Sequence, residues 1–217
     1  MNKVALISLR NDFINDRLER RDSLDIEIYS LVLELGFIPI LIPNEPNITN
    51  YFNIVFKEEN IGLVLFTGGN DLYQFDKEKN TNIYKKRDEL EINLIKYCIS
   101  NSIPILSICR GFQLIANYLG ANIEKIENHI NINHEVNFIN SKEKIIVNSF
   151  HNYCLKNKNL PIQIHPLATY KLDNTIEAFK TKSPFKSLNI MWHPERENGA
   201  KFKTLDLIKD SLFDNIN

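Results

Sequence analysis

Residues 103–113 read IPILSICRGFQ, an apolar strand pattern that passes without a gap into a helical pattern. Only Ser107 interrupts the apolar run, as expected of a strand covered on both faces of a parallel sheet. Cys109 stands at the junction, between the small residues Ser107 and Gly111. Small neighbours at these positions are typical of a nucleophile elbow, where the positive end of the helix dipole stabilises negative charge. We therefore predict a nucleophilic Cys109; a structural cysteine in a strand–helix turn is the alternative that this segment leaves open.

Strands and helices alternate along the first half of the chain. Apolar patterning predicts strands at 3–9, 37–42, 61–66 and 103–108 and helices at 23–35, 51–58, 87–100 and 110–119. Residues 74–86 are polar, lack periodicity and are predicted to form a loop. This alternation predicts an α/β fold whose parallel sheet is covered by helices on both faces.

The second half is less regular. It predicts strands at 145–150, 162–172, 175–180 and 188–192 and a closing helix at 201–213. Because neither a repeat nor a linker-like segment interrupts the pattern, we predict one domain over residues 1–217.

The composition narrows the functional class. The 217 residues contain 26 Lys and Arg against 27 Asp and Glu, so the net charge of −1 predicts neither nucleic acid nor an anionic membrane as a partner. The first apolar stretch is too short for a signal peptide, and the three cysteines lack a C-x-x-C pair, which favours a cytoplasmic location. His129, His134 and His165 have no ligand-like spacing, so we predict no metal site and no cofactor.

Two further segments carry chemical groups. His193 and Glu195 follow a predicted strand, and residues two apart in extended backbone point to the same side, so Glu195 is expected to orient the imidazole. With Cys109 these residues supply the nucleophile, base and acid of a catalytic triad. Gly68 and Gly69 follow the third strand and can present backbone N–H groups to an oxyanion, although a simple tight turn has the same sequence.

Arginine is rare in this chain, and four of its seven arginines lie near the N-terminus: Arg10, Arg17, Arg20 and Arg21. A guanidinium binds phosphate or carboxylate through two parallel hydrogen bonds, which lysine cannot do. We predict that this cluster contacts an anionic part of the substrate; a solvated basic face is the alternative.

Together these motifs resemble the class I glutamine amidotransferase-like proteins, and more narrowly their γ-glutamyl hydrolase branch. The resemblance spans nearly the whole chain and rests on four segments in order: Thr67-Gly68-Gly69, 104–113, Val147-Asn148-Ser149-Phe150-His151 and Trp192-His193-Pro194-Glu195. Arg87-Asp88-x-x-Glu91 also fits that branch. The chain departs from it at Ser107, where glycine is frequent, and at Asn152 and Tyr153, where histidine and glutamine are frequent.

The resemblance implies a three-layer αβα fold with a mostly parallel central sheet and a thioester-forming triad of Cys109, His193 and Glu195. It implies an oxyanion hole made by the backbone N–H groups of Gly69 and Arg110. The substrate-binding residues expected from the resemblance and the arginine cluster are Gly68, Asn70, Gln113, Ser149, His151, Arg17, Arg20 and Arg21.

The expected activity is hydrolysis of a small-molecule γ-glutamyl amide. The arginine cluster would suit a phosphate-bearing leaving group. Among the leaving groups known in the branch that the chain resembles, the resemblance favours cytidine diphosphoramidate, which is used to modify surface polysaccharide. The alternatives are a γ-glutamyl-γ-aminobutyrate-type hydrolase, a glutaminase subunit that delivers ammonia to a separate synthase, and a non-catalytic binding module. The sequence leaves open whether the chain forms a homodimer.

Overall fold

The computed structural model describes residues 3–55, 60–75, 82–182 and 184–213. In chain order the strands are β1 (Val4–Ser8), β2 (Arg10–Ile14), β3 (Glu19–Ser23), β4 (Ile38–Ile42), β5 (Ile61–Phe66), β6 (Ile105–Ile108), β7 (Ile123–Lys125), β8 (Ile130–Phe138), β9 (Lys144–Phe150), β10 (Tyr153–Lys156), β11 (His165–Tyr170), β12 (Thr175–Lys180) and β13 (Ser187–Ile190). The helices are α1 (Glu27–Glu34), α2 (Phe52–Val55), α3 (Asn82–Asn101), α4 (Arg110–Tyr118) and α5 (Lys201–Leu212), with 3-10 turns at Asn15–Arg17 and Pro46–Tyr51.

Five parallel strands form the centre of the main sheet, in the order β4-β1-β5-β6-β13. Every residue of β5 and β6 is buried, as their continuous apolar pattern predicts. Helices α3 and α4 pack on one face, against residues such as Val64, and α1 and α5 pack on the other, against residues such as Leu65. The predicted three-layer α/β fold is confirmed.

The sheet continues beyond β13 through antiparallel pairs, β12, β11, β8 and β9. Short strands β7 and β10 pair with each other, and β10 also pairs with β12. The sequence predicted neither these two strands nor β8. Six of the nine residues of β8 are only partly buried or exposed, so this strand lacks an apolar run and depends on its pairing with β9.

Other element predictions need correction. Residues 10–23 form an antiparallel hairpin of β2 and β3, and the helix predicted from Ser23 begins only at Glu27. Helix α3 begins at Asn82, inside the segment predicted as a loop, of which residues 76–81 lie outside the described residues. The short helix predicted at 51–58 is present as α2, which follows the 3-10 turn at Pro46–Tyr51; residues 56–59 lie outside the described part.

The parallel topology brings several chain segments to one edge. The carboxyl ends of β1, β5, β6 and β13 meet there, and ligands of open α/β sheets bind at such an edge. In the described ranges no helix has both the length and the apolar character that a bilayer crossing requires.

Candidate active site

Cys109 occupies a sharp turn between β6 and α4. Its backbone has φ 51° and ψ −99°, a strained conformation for a residue with a side chain. Gly111 makes room for this turn, because an added Cβ there would lie 2.7 Å from the Phe66 carbonyl oxygen and 3.0 Å from Ser107 Cβ. The Cys109 amide donates to the Ile190 carbonyl over 2.8 Å, which ties the turn to β13. The strand-to-helix turn predicted from the small residues is therefore present.

His193 lies beside Cys109. Its Nδ1 is 2.6 Å from Glu195 Oε1, and since a carboxylate only accepts, Nδ1 carries the proton and Nε2 is left to face the sulfur. A Cβ built on Gly68 would lie 3.4 Å from His193 Nε2 and 3.6 Å from Cys109 Cβ, so the two side chains border the same point. The structure thus brings together the three residues predicted as a triad.

Glu195 reaches His193 in a different way from that expected. Strand β13 ends at Ile190, and the Arg196 amide donates to the His193 carbonyl over 3.2 Å. Residues 193–196 therefore form a turn, and the expectation of extended backbone was wrong. The following chain passes close beneath, since a Cβ on Gly199 would lie 2.1 Å from the His193 carbonyl oxygen.

The surroundings of His193 favour its protonated form. Burial lowers the pKa of His193, but negative charge at Cys109, the hydrogen bonds with Cys109 and Glu195, and the Glu195 charge outweigh it and raise the pKa to about 9. At neutral pH His193 is therefore an imidazolium, and it can donate the second proton, on Nε2, to a departing group.

Asn148 of β9 holds the His193 turn in position. Its Nδ2 donates to the carbonyls of His193 and Glu197, each over 2.9 Å, and its Oδ1 accepts from the His193 amide over 2.8 Å. Asn148 lies in one of the segments that carry the family resemblance, from which no role was predicted for it. An asparagine that follows the apolar run 145–147 within a predicted strand was the available signal, because a buried amide needs partners.

The two predicted oxyanion donors lie at the same edge. Arg110 is the first residue of α4, so its N–H has no acceptor within the helix. Gly69 has a φ of +75°, which favours glycine. Arg87 orients the peptide unit between Gly68 and Gly69 by donating a hydrogen bond to the Gly68 carbonyl over 3.2 Å. It also donates to the Gly69 carbonyl over 2.9 Å. Because a trans peptide directs its N–H opposite to its C=O, the Gly69 N–H points away from Arg87.

A buried charge network connects these two donors. Glu91 Oε1 accepts from Arg87 Nε over 3.0 Å and from the Ser8 hydroxyl over 2.6 Å, while Glu91 Oε2 and Asp88 accept from the Arg110 guanidinium. The Arg87 and Glu91 side chains are fully buried. Burial, followed by the Arg110 charge, lowers the pKa of Arg87 to about 10 despite its carboxylate neighbours. Arg87 and Glu91 are oppositely charged residues four positions apart, a pattern that is also common on exposed helix faces. The sequence therefore did not predict their burial, and only the family resemblance drew attention to them.

Two neighbouring cavities open at this edge. The first, of about 250 Å³, is lined by His193, Glu195, Gly68 and Arg196 among others. The second, of about 230 Å³, is lined by residues that include Cys109, Arg110, Gln113 and His151. Arg10 and Gly69 line both cavities, so they mark the boundary between them.

The other predicted substrate residues differ in their surroundings. Gln113 and His151 line the second cavity, and Gln113 donates to the Tyr153 carbonyl over 3.3 Å. Asn70 also lines the second cavity, but its side chain is engaged by the hairpin. Asn70 Oδ1 accepts a hydrogen bond from the Asn11 amide and Asn70 Nδ2 donates to the Asn11 carbonyl, each over 2.8 Å, which anchors the hairpin. Ser149 lines neither cavity; it is buried, and its hydroxyl donates to the His129 carbonyl over 2.7 Å.

The predicted arginines are dispersed on the hairpin. Arg17, Arg20 and Arg21 are exposed and line neither cavity. Arg20 lies over the Phe13 ring, and Arg21 pairs with Glu19 over 2.8 Å. Arg10 alone of the N-terminal cluster reaches the cavities, because it begins β2 directly after the carboxyl end of β1.

Two of the histidines without ligand-like spacing in the sequence have a carboxylate neighbour in the fold. The fold brings His129 and His134 to Glu177, with one potential ligand atom from each within 4.8 Å of the others. The spacing of these residues in the sequence does not reveal the group, because β8 and β12 are far apart in the chain. They come close to each other only in the folded sheet, on either side of β11.

Comparisons with known proteins identify a family and several relatives of this chain. The profile of the Peptidase C26 family matches residues 11–142 and 124–195. The chain is 40% identical over 184 residues to γ-glutamyl-CDP-amidate hydrolase of Campylobacter jejuni, covering 83% of this chain and 84% of that protein. It is 28% identical to a glutamine amidotransferase-like protein of Lactococcus lactis, covering 75% of this chain and 76% of that protein. A glutamine amidotransferase structure from Thermotoga maritima has a TM-score of 0.61 at 19% identity, covering 98% of this chain and 85% of its own.

Proposed function

Because this chain belongs to the Peptidase C26 family, we propose that it is a cysteine hydrolase of γ-glutamyl amides whose leaving group carries phosphate. The contact of Cys109 with a His193–Glu195 pair, at the boundary of two cavities, is the observation that carries this proposal. The relative from Campylobacter jejuni acts on γ-glutamyl-CDP-amidate, and we propose the same substrate here.

The reaction would proceed through a thioester. Cys109 Sγ attacks the side-chain carbonyl carbon, and the Gly69 and Arg110 N–H groups stabilise the oxyanion that forms. The C–N bond breaks as His193 gives its proton to the departing nitrogen. A water molecule then loses a proton to His193 and attacks the thioester carbon, the C–S bond breaks, and glutamate leaves.

The two cavities would hold the two halves of the substrate. The second cavity contains the nucleophile and the amide of Gln113, which suits the glutamyl group. The first cavity contains His193, the residue that must face the departing nitrogen, which suits the leaving group. Gly69, shared by both, would then contact the carbonyl between them.

Arg10 is the group best suited to an anionic leaving group. Its guanidinium lies against Gly69, where an added Cβ would be 3.0 Å from Nη1. Asp12 accepts from Arg10 Nε over 2.8 Å, which orients the guanidinium and leaves the N–H groups of both Nη atoms for a ligand. The side chain is 43% exposed, so a phosphate can reach it from solvent.

A comparison of substrates in two variants tests the proposal. We expect wild-type kcat/KM to be higher for γ-glutamyl-CDP-amidate than for a neutral γ-glutamyl alkylamide or glutamine. Arg10→Met should lower kcat/KM about 10–100-fold for the phosphoramidate alone, since a charged hydrogen bond contributes about 1.5–3 kcal/mol. Arg20→Met, on the same hairpin but outside both cavities, is the matched control and should preserve the preference.

Three outcomes would contradict the proposal. Faster turnover of glutamine would favour an ammonia-delivering glutaminase, and faster turnover of the neutral amide would favour an amine leaving group. Equal losses on all substrates in the Arg10→Met variant would remove Arg10 from leaving-group recognition.

The pH dependence of the reaction should follow His193. Its raised pKa keeps the proton-donating form until the pH passes about 9, so kcat/KM should fall as the pH rises through that value. Because Glu195 contributes to the raised pKa, the descending limb should move to lower pH in Glu195→Gln. Profiles of kcat/KM from pH 6 to about 10 measure both effects. If the descending limb of the kcat/KM profile lies at the same pH in Glu195→Gln as in the wild type, a group other than His193 titrates there.

We also propose a cytoplasmic location. The cysteines Cys98, Cys109 and Cys154 are free thiols in the structure, which suits a reducing compartment.

A further inference from the structure

A second cluster of titratable side chains adjoins the wall of the second cavity. Its members are His129, just before β8, His134 of β8, His151, just after β9, and Glu177 of β12, and each is at most 5% exposed. His151 also lines the cavity, whereas the other three are not among its lining residues. The proposed hydrolysis uses none of the buried groups behind His151.

The hydrogen bonds of His129 and His151 fix where their protons lie. His129 Nε2 is 2.7 Å from Asp173 Oδ2, and His151 Nδ1 is 3.0 Å from the Tyr153 carbonyl oxygen. Both oxygens only accept, so these nitrogens carry the protons. In neutral rings the remaining nitrogens, His129 Nδ1 and His151 Nε2, therefore present lone pairs to each other over 3.2 Å. Two lone pairs at this distance repel each other, and either a proton between the nitrogens or a metal ion bound by both removes the repulsion.

His134 and Glu177 add further polar atoms without partners. Both ring nitrogens of His134 and Oε2 of Glu177 are buried without a hydrogen-bond partner, although His134 Nε2 and Glu177 Oε2 are only 3.4 Å apart. The Thr175 hydroxyl lies 3.0 Å from Glu177 Oε1 and 2.8 Å from Asp173 Oδ1, and its single proton can serve only one carboxylate. Buried polar atoms without partners require an explanation, and a bound ion is one that would satisfy all of these atoms together.

We infer that His129, His134 and Glu177 bind a divalent transition-metal ion of the zinc type, with His151 as a neighbouring fourth ligand. One ligand atom from each of the first three lies within 4.8 Å of the others. The distance from His129 Nδ1 to His151 Nε2 is 3.2 Å and that from His134 Nε2 to Glu177 Oε2 is 3.4 Å, both near the ~3.3 Å edge of a tetrahedron with ~2.0–2.1 Å metal bonds. The other carboxylate oxygen, Glu177 Oε1, lies 3.8 Å from His151 Nε2.

The surrounding residues fit this assignment. Imidazole nitrogens with one carboxylate suit Zn²⁺ better than Mg²⁺ or Ca²⁺, which prefer oxygen ligands. Asp173 binds the far nitrogen of His129, the arrangement in which a carboxylate orients a metal-bound histidine. Such a closed site would join β8 to β12 and fix the His151 side of the second cavity.

The test measures metal directly. The purified chain is dialysed against a chelator, then against ZnSO₄, and freed of excess ion before elemental analysis. We expect about one zinc per chain and a rise in Tm of about 5–10 °C at free zinc about 100-fold above Kd. Glu177→Gln and His134→Gln should lose stoichiometric zinc, and Asp173→Asn should weaken binding about 10–100-fold.

His165→Gln is the matched control, because His165 lies on β11 outside the cluster and its removal should leave zinc content unchanged. If a ligand variant fails to fold, the wild-type titration still decides the question. A wild-type chain that retains no zinc after dialysis and shows the same Tm with and without it would overturn the inference. The cluster would then be a hydrogen-bond network neutralised by protons.

Discussion

The Cys109→Ala variant is expected to fold normally and to lose hydrolysis, with kcat lower by a factor on the order of 10⁶. This loss follows from the site, because the sulfur is the group that would form the thioester while the N–H groups and His193 only assist. A purified Cys109→Ala chain assayed on γ-glutamyl-CDP-amidate measures the effect. Normal turnover by this variant would exclude the thioester mechanism and restore the alternative of a structural cysteine.

Cys98→Ala supplies the control for this experiment. Cys98 is a buried thiol on α3 whose pKa is raised by burial, so it should neither react nor contribute to turnover. A glutamine-like electrophile should add its mass to wild type and Cys98→Ala but not to Cys109→Ala. The absence of labelling in the wild type would favour a non-catalytic binding module.

The same substitution has a second, spectroscopic consequence. Negative charge at Cys109 is the largest effect that raises the pKa of His193 to about 9 against burial. Its removal should therefore lower the His193 pKa, which NMR titration of the ring resonances can follow. A merely structural cysteine would leave that titration unchanged.

The parts of the site that could be predicted carry local signals. A buried strand, a cysteine between small residues and a helix lie within eleven consecutive positions, so short-range sterics reveal the elbow. The contact of His193 with Glu195 was predicted for the wrong reason, since it is made across a turn. Sequence proximity brought the two residues together in either conformation.

The parts that could not be predicted depend on contacts between distant segments. The hairpin at residues 10–23 has no apolar alternation of its own and is attached through Asn70 and through Asn44, which bonds Asp22. The histidine cluster is assembled by sheet register, which no spacing along the chain encodes. Arg10 differs from Arg20 only in its position relative to the end of β1, so composition could not separate them.

Glu91 shows how much of the site depends on charge hidden from the sequence. Its carboxylate lies between the buried guanidinium groups of Arg87 and Arg110, and Asp88 is the second carboxylate of the network. Burial opposes ionisation, but the charges of Arg110 and Arg87 together keep the pKa of Glu91 below its usual value. The four residues are neutral as a group, and loss of one carboxylate leaves a buried positive charge.

Glu91→Gln should therefore destabilise the fold by about 3–5 kcal/mol, because an unpaired buried charge costs that much. At about 2–4 °C per kcal/mol for a chain of this size, Tm should fall by about 6–20 °C. Glu89→Gln on the same helix is the matched control: Glu89 is 48% exposed and 3.7 Å from Lys85, and exposed pairs contribute about 0–1 kcal/mol. Thermal unfolding of the two variants measures the difference. Equal Tm values for Glu91→Gln and Glu89→Gln would mean that solvent reaches the charge network. Arg87 would then hold the Gly69 peptide without the help of Glu91.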